Sequence, residues 1–281
     1  MAIQAGMVKA LRERTGAGMM ECKKALEETQ GDMEAAVLLM RKRGVLKAEK
    51  RAGHAAREGR IAIAQDEQAG AAAMVEVDCE TDFVAQCDDF QQYAQWLAQA
   101  ALHHQPQDLE HFLGLSFQGK TPEEARHDLI SKVGENVVVR RVVFMQRRGD
   151  VLGSYQHGRR IGVLVDMQGG DLALAREVAM HIAASRPRWL DADQVPASFL
   201  QREKEVFQAQ AATSGKPEAI VAKMIEGRLR KAVEEVTLLG QPFVKQPEQT
   251  VGALLASRGA RVLAYARFEV AEEEGQAPEG S

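Results

Sequence analysis

The sequence predicts an α+β protein: a three-helix N-terminal module, a core of two related α+β subdomains with antiparallel sheets, and an antiparallel helical hairpin inserted into the second subdomain. Three observations carry this prediction. Helical periodicity interrupted by glycine turns fills the first 44 residues, a pattern of two strands and a helix recurs at an offset of 88 residues, and two long apolar stripes flank the turn Ser214-Gly215-Lys216-Pro217. With 281 residues, 45% of them hydrophobic, the chain has room for two or three domains.

In residues 1–44, Met7, Val8 and Leu11 form one apolar face, Cys22, Ala25 and Leu26 a second, and Ala36, Val37 and Met40 a third. Thr15-Gly16-Ala17-Gly18 and Gly31-Asp32 separate the three helices. The pair Met19 and Met20, beside the glycine turn, reads on position alone as core rather than as an adaptable contact surface. Residues 45–59, rich in Lys, Arg and Ala, form a charged helical linker. The core N-terminal subdomain, 60–145, opens with strands Arg60 to Ala64 and Ala72 to Val77. A helix follows from near Phe83 to Leu102, another from Thr121 to Val133 with Pro122 in its first turn, and Val137 to Phe144 returns as a strand. The C-terminal subdomain, 146–192 and 237–270, repeats the plan with strands Asp150 to Gln156 and Arg160 to Val165, a helix from Asp171 to Ser185, and a closing strand Val262 to Val270. In the hairpin, 193–236, Phe199, Val206 and Phe207 face Ile220, Met224, Leu229 and Val233 across the two helices of a short coiled coil. Residues 271–281, acidic with Gly and Pro, are expected to be disordered.

Charge is distributed unevenly. Residues 1 to 60 carry 13 Lys/Arg against 8 Asp/Glu, whereas residues 61 to 112 carry 10 Asp/Glu and no Lys or Arg. A surface of that sign repels phosphate backbones and suits a basic protein partner, so no direct nucleic-acid contact is expected there. No phosphate-binding GxxxxGK[ST] loop, strand-coupled GxGxxG or HExxH occurs, so neither a nucleotide site nor a catalytic metal is expected. His103, His104 and His111 lack a matching Cys or carboxylate spacing and read as exposed loop histidines. Cys22, Cys79 and Cys87 read as reduced packing residues. The N-terminus lacks a basic then apolar leader, and no run of about eighteen apolar residues occurs, which points to a cytoplasmic protein with no membrane partner.

The segment Val75 to Val84 holds the one side chain out of keeping with its surroundings. Val75, Val77 and Cys79 alternate with Glu76, Asp78 and Glu80, the signature of a strand with one buried face. The line of carboxylates ending at Asp82 has the chemistry to bind a hard cation, but on alternate strand positions it reads as a solvated face. Thr81 or Asp82 then caps a helix, leaving Phe83 in its first turn, at a tip from which it can wedge into a partner. The competing reading places Phe83 in the core with Phe90. His157, between glycines in Gly153-Ser154-Tyr155-Gln156-His157-Gly158, sits at a hairpin tip, placed for contact or simply in a turn.

Five motifs, in this order and spacing, resemble bacterial translation elongation factor Ts. They are Arg14-Thr15-Gly16-Ala17-Gly18-Met19-Met20 with Cys22-Lys23-Lys24-Ala25-Leu26; Thr81-Asp82-Phe83-Val84; Gly153-Ser154-Tyr155-Gln156-His157; Ser214-Gly215-Lys216-Pro217; and Gly240-Gln241-Pro242-Phe243-Val244. The resemblance implies a guanine-nucleotide exchange factor, not an enzyme, that binds elongation factor Tu loaded with GDP, displaces its Mg²⁺ and lets GTP enter. It implies that the first module is ubiquitin-associated-like and docks through Arg12, Met19 and Met20, that Thr81, Asp82, Phe83 and Val84 act in metal displacement, and that His157 contacts the partner from the core. It implies no cofactor. The alternative is a protein-interaction scaffold built on the same module and coiled coil. Residues 105–119 depart from the family pattern, and no further patterned helix follows the last strand, as one does in its longer members.

Overall fold

Helix α1 (Ala5–Thr15), α2 (Met19–Glu28) and α3 (Met33–Arg51) close around Val8, Leu11, Cys22, Ala25, Leu26 and Ala36. The computed structural model describes residues 3–212 and 217–272. Asp32 caps α3 by accepting the Ala35 N–H at 3.0 Å. The helix continues into the segment read as a charged helical linker. It runs through Gly44 to Arg51 and lies on α7 (Pro122–Val133), so the first seven residues past Gly44 are also part of the helix that completes the module. Gly44 permits this crossing, because a Cβ there would stand 2.8 Å from Ser131 Oγ and 3.5 Å from the His127 carbonyl oxygen.

The described residues divide into two compact units. The first holds those of Met1–Gln65, Ala73–Phe144 and Glu269–Ala271; the second those of Asp66–Ala72, Met145–Phe268 and the residues from Glu272 on. In the first unit strands β1 (Glu58–Asp66), β2 (Ala71–Cys79) and β3 (Val137–Gln146) lie in the order β1-β2-β3. Helices α4 (Asp82–Gln86), α5 (Asp88–His104), α6 (Leu109–Gly114) and α7 complete it, with Val75, Val77, Phe90, Leu97, Ile130 and Val137 in the core.

Three expectations change here. The carboxylates of Glu76 and Asp78 are buried, not solvated, because β2 is the central strand and all nine of its residues are covered. Arg141 Nε pairs with Glu76 at 2.5 Å, the Ala271 N–H donates to the same carboxylate at 3.0 Å, and Arg140 stands 3.6 Å from Asp78. Burial, then the Glu76 carboxylate, push the Asp78 pKa up to about 7 against the pull of Arg140. The helix expected from Phe83 to Leu102 is two helices, broken at Cys87, whose backbone is extended at ψ 148°. The freed Gln86 carbonyl accepts from Gln91 Nε2 at 2.6 Å, and the Cys87 N–H closes back on Val84 at 3.0 Å, so the break leaves these groups satisfied. His103 and His104 end α5 and His111 lies in α6, so all three are helical rather than in a loop.

The second unit repeats the plan. Strands β4 (Val151–His157) and β5 (Ile161–Gln168) pair antiparallel, Val151 opposite Met167 and His157 opposite Ile161, and β8 (Arg261–Glu269) joins β5. The order β4-β5-β8 thus matches β1-β2-β3: a hairpin, then a later strand beside its second member. Helix α8 (Leu172–Ser185) lies on the hairpin, and in the first unit α5 shares its core cluster with β1 and β2. Helices α9 (Ala197–Ala212) and α10 (Glu218–Val236) pack together, with the Arg228 guanidinium 5.7 Å from the Phe207 ring centre. Most of the turn expected at 214–217, and the tail from 273 onward, lie outside the described residues. Short strands β6 (Pro242–Phe243) and β7 (Gln246–Thr250) and helix α11 (Val251–Ser257) fill the return to β8.

Candidate functional site

Strand β2 ends at Cys79, and within four residues the chain has entered a new helix whose only exposed apolar side chain is Phe83. Phe83 is 82% exposed, whereas Phe90 is wholly buried, so Phe83 is not a core residue. Thr81 makes the turn: its backbone is extended (φ −125°, ψ 156°) and its Oγ accepts the Val84 N–H at 3.4 Å. Asp82 is exposed and accepts from Gln86 Nε2 at 3.4 Å, while Val84 is half-buried against the core. The four residues therefore form one tip, with Val84 turned in and Phe83 turned out.

Beneath the tip lies a polar seat assembled from distant segments. Glu80 accepts the Asn136 N–H at 2.7 Å and lies within 3.1 Å of His54 Nδ1 and 3.4 Å of Arg51. The Asn136 N–H, followed by the His54 side chain, holds the Glu80 pKa below its ordinary value. Asn136 Nδ2 reaches the His54 carbonyl at 2.8 Å. Glu135 takes both protons of the next residue, the Thr81 Oγ–H at 2.6 Å and the Thr81 N–H at 3.0 Å. Cys79 Sγ lies 3.2 Å from the Thr81 carbonyl oxygen, and burial pushes its thiol pKa up to about 12, a packing cysteine without thiolate character. Sequence reasoning missed Glu135, Asn136 and His54. The only local signal is Gly134-Glu135-Asn136 following a helix end, which reads as an ordinary turn.

The chain matches the family profile described as Elongation factor TS over residues 80–272. It is 54% identical over 273 residues to the elongation factor Ts of Thioalkalivibrio sulfidiphilus and 55% identical over 273 residues to that of Methylococcus capsulatus, in each case across 97% of this chain and 93% of the relative. It is 48% identical over 271 residues to the elongation factor Ts of Legionella pneumophila strain Paris, across 96% of this chain and 92% of the relative. The chain belongs to the elongation factor Ts family. It is a translation elongation factor.

As a member of the elongation factor Ts family, the chain carries its remaining candidate residues on three other elements. Met19 and Met20 are 58% and 64% exposed, which corrects their reading as core. They occupy the first turn of α2, whereas its buried face, Cys22, Ala25 and Leu26, begins one turn later. Arg12 is exposed on α1. His157 is exposed at the end of β4 in the second unit, with Nδ1 3.3 Å from the Tyr155 hydroxyl. Lys132 ties the module's Gly16 turn to its own unit, since its aliphatic stem would touch a Cβ at Gly16 at 3.5 Å and its ammonium pairs with Asp89 on α5. Among the described residues, no group of three or more His, Cys, Asp or Glu side chains is arranged to hold a metal ion, and no helix is long and apolar enough to cross a membrane.

Proposed function

We propose that the chain is a guanine-nucleotide exchange factor for elongation factor Tu, with the Thr81–Val84 tip displacing the partner's Mg²⁺ and the N-terminal module holding the partner through Arg12, Met19 and Met20. The observation that carries this reading is Phe83, a large apolar side chain almost fully exposed on a turn whose base is hydrogen-bonded on two residues. Exposed aromatic anchors on a rigid seat are what a binding hot spot requires. Exchange breaks no covalent bond. GDP and Mg²⁺ are held in a G domain by backbone amides, a lysine and metal coordination, so release requires only that this site be distorted. Burying one Phe side chain contributes about 1.5 to 3 kcal/mol. At about 1.4 kcal/mol per factor of ten, that accelerates release by roughly ten- to a hundredfold if expressed in the barrier. Linkage completes the cycle, because a factor that weakens nucleotide is itself weakened by nucleotide to the same degree, and incoming GTP expels it.

The test is release of labelled GDP from elongation factor Tu into excess unlabelled GDP. The chain should raise the release rate saturably at substoichiometric amounts. Binding without faster release would overturn exchange and leave the scaffold reading.

A further inference from the structure

We propose that Glu135 is a positioning residue for the tip: its carboxylate fixes the Thr81 hydroxyl so that the oxygen faces the Val84 N–H and holds the single turn of helix that presents Phe83. The inference rests on the exchange reading for its consequence but not for its geometry. Helix α4 has five residues, far short of the roughly 12 to 15 needed for a helix to persist by itself. Phe83 is exposed and has no packing of its own to set its position. What orients it is therefore the joint between β2 and α4, together with the packing of Val84 and Ala85 against the core.

That joint is two residues long, Glu80 and Thr81, and both are held by one turn 54 to 56 positions away, between α7 and β3. A hydroxyl has one proton and two lone pairs, and an ionised carboxylate only accepts. With Glu135 Oε1 taking the Thr81 Oγ–H at 2.6 Å, the hydroxyl rotor has no freedom left, and its lone pair is the acceptor for Val84 N–H. Glu135 Oε2 fixes the Thr81 main chain at the same time, at 3.0 Å. The carboxylate thus sets the first turn of α4 through a side chain and a peptide N–H together.

Glu135→Ala and Glu135→Gln are made alone and with Thr81→Val, and GDP release is followed at saturating chain together with the concentration for half-saturation. A positioning role predicts a limiting rate about tenfold lower for Glu135→Ala, an intermediate loss for Glu135→Gln, and half-saturation changed less than about threefold. In the Thr81→Val background most of the further loss from Glu135→Ala should vanish, since the two act as a unit. Amide hydrogen exchange supplies a second readout independent of the partner: the Val84 N–H should exchange faster in Glu135→Ala while the Val77 amide in β2 is unchanged. A variant with wild-type release, losses that simply multiply, or a change confined to half-saturation would overturn the proposal. If Glu135→Ala does not fold, Glu135→Gln decides it by the same criteria. If the unmodified chain releases no GDP, the exchange reading fails, and unchanged Val84 protection would then sink the positioning of the tip as well.

Discussion

Phe83 and Phe90, seven positions apart, have opposite fates, one in solvent and one in the core, and the difference fixes what each substitution does. Phe83→Ala should leave unfolding free energy within about 0.5 kcal/mol of the parent, as exposed positions do, while the limiting GDP release rate drops about ten- to a hundredfold. Thermal melting and release kinetics on the same sample check it, and an undiminished rate in a folded variant would remove Phe83 from the mechanism. Asp78 makes a prediction of the other kind. It titrates near 3.8 when unfolded and at about 7 in the fold, so between those values the native chain binds more protons than the unfolded one. Its contribution to stability therefore falls as pH rises through that window and is constant on either side. Its Oδ1 has no hydrogen-bond partner, consistent with a group that prefers to stay protonated. Asp78→Asn should cost most near pH 4 and become progressively less harmful, or stabilising, towards pH 8 in urea titrations; a gap independent of pH would refute the assignment. Phe83 could be picked out from sequence because a bulky apolar residue in a polar turn is anomalous by itself. Glu76, Asp78 and Glu135 could not, because their roles depend on arginines, a strand order and a hydroxyl that meet them only after folding.

At the scale of elements, local periodicity placed most helices and strands, since the face that each buries is written in its own spacing. It failed where a boundary depends on a neighbour. Gly44 closed the first module in the sequence, yet it is the point at which α3 crosses α7, where a Cβ would stand 2.8 Å from Ser131 Oγ. Gly44→Val should therefore destabilise by about 1 to 3 kcal/mol in spite of glycine's poor helix propensity, because it forces overlap with Ser131. Adding Ser131→Gly should restore part of the loss, and full additivity in chemical denaturation would show that the crossing is not the cause. The break at Cys87 was likewise invisible, because Asp82 to His104 holds no proline or glycine to announce it. Helix α11 lay unread between two turns, too short for its period to show.

For the whole molecule, the same crossing bears on how the chain divides. The module and the first sheet share one compact unit, so a chain beginning at residue 45 keeps a severed end of α3 on α7, whereas one beginning at 53 removes the helix entirely. Under the proposed division of labour, the chain from 53 onward should need at least about tenfold more protein for half-maximal GDP release while its limiting rate stays within about threefold. Unchanged half-saturation would clear Arg12, Met19 and Met20 of any docking role. The repeat of sheet order was legible as an offset of 88 residues, and that offset has a consequence of its own. It sets Thr81-Asp82-Phe83 against Gly169-Gly170-Asp171. In the second copy two glycines at φ 71° and 73° fill the joint, and a Cβ on the first would come within 2.2 Å of the Gly259 carbonyl oxygen. That joint is pressed shut by its own chain and can carry no protrusion. The same joint is thus plugged in one half of the molecule and bears a tooth, Phe83, in the other.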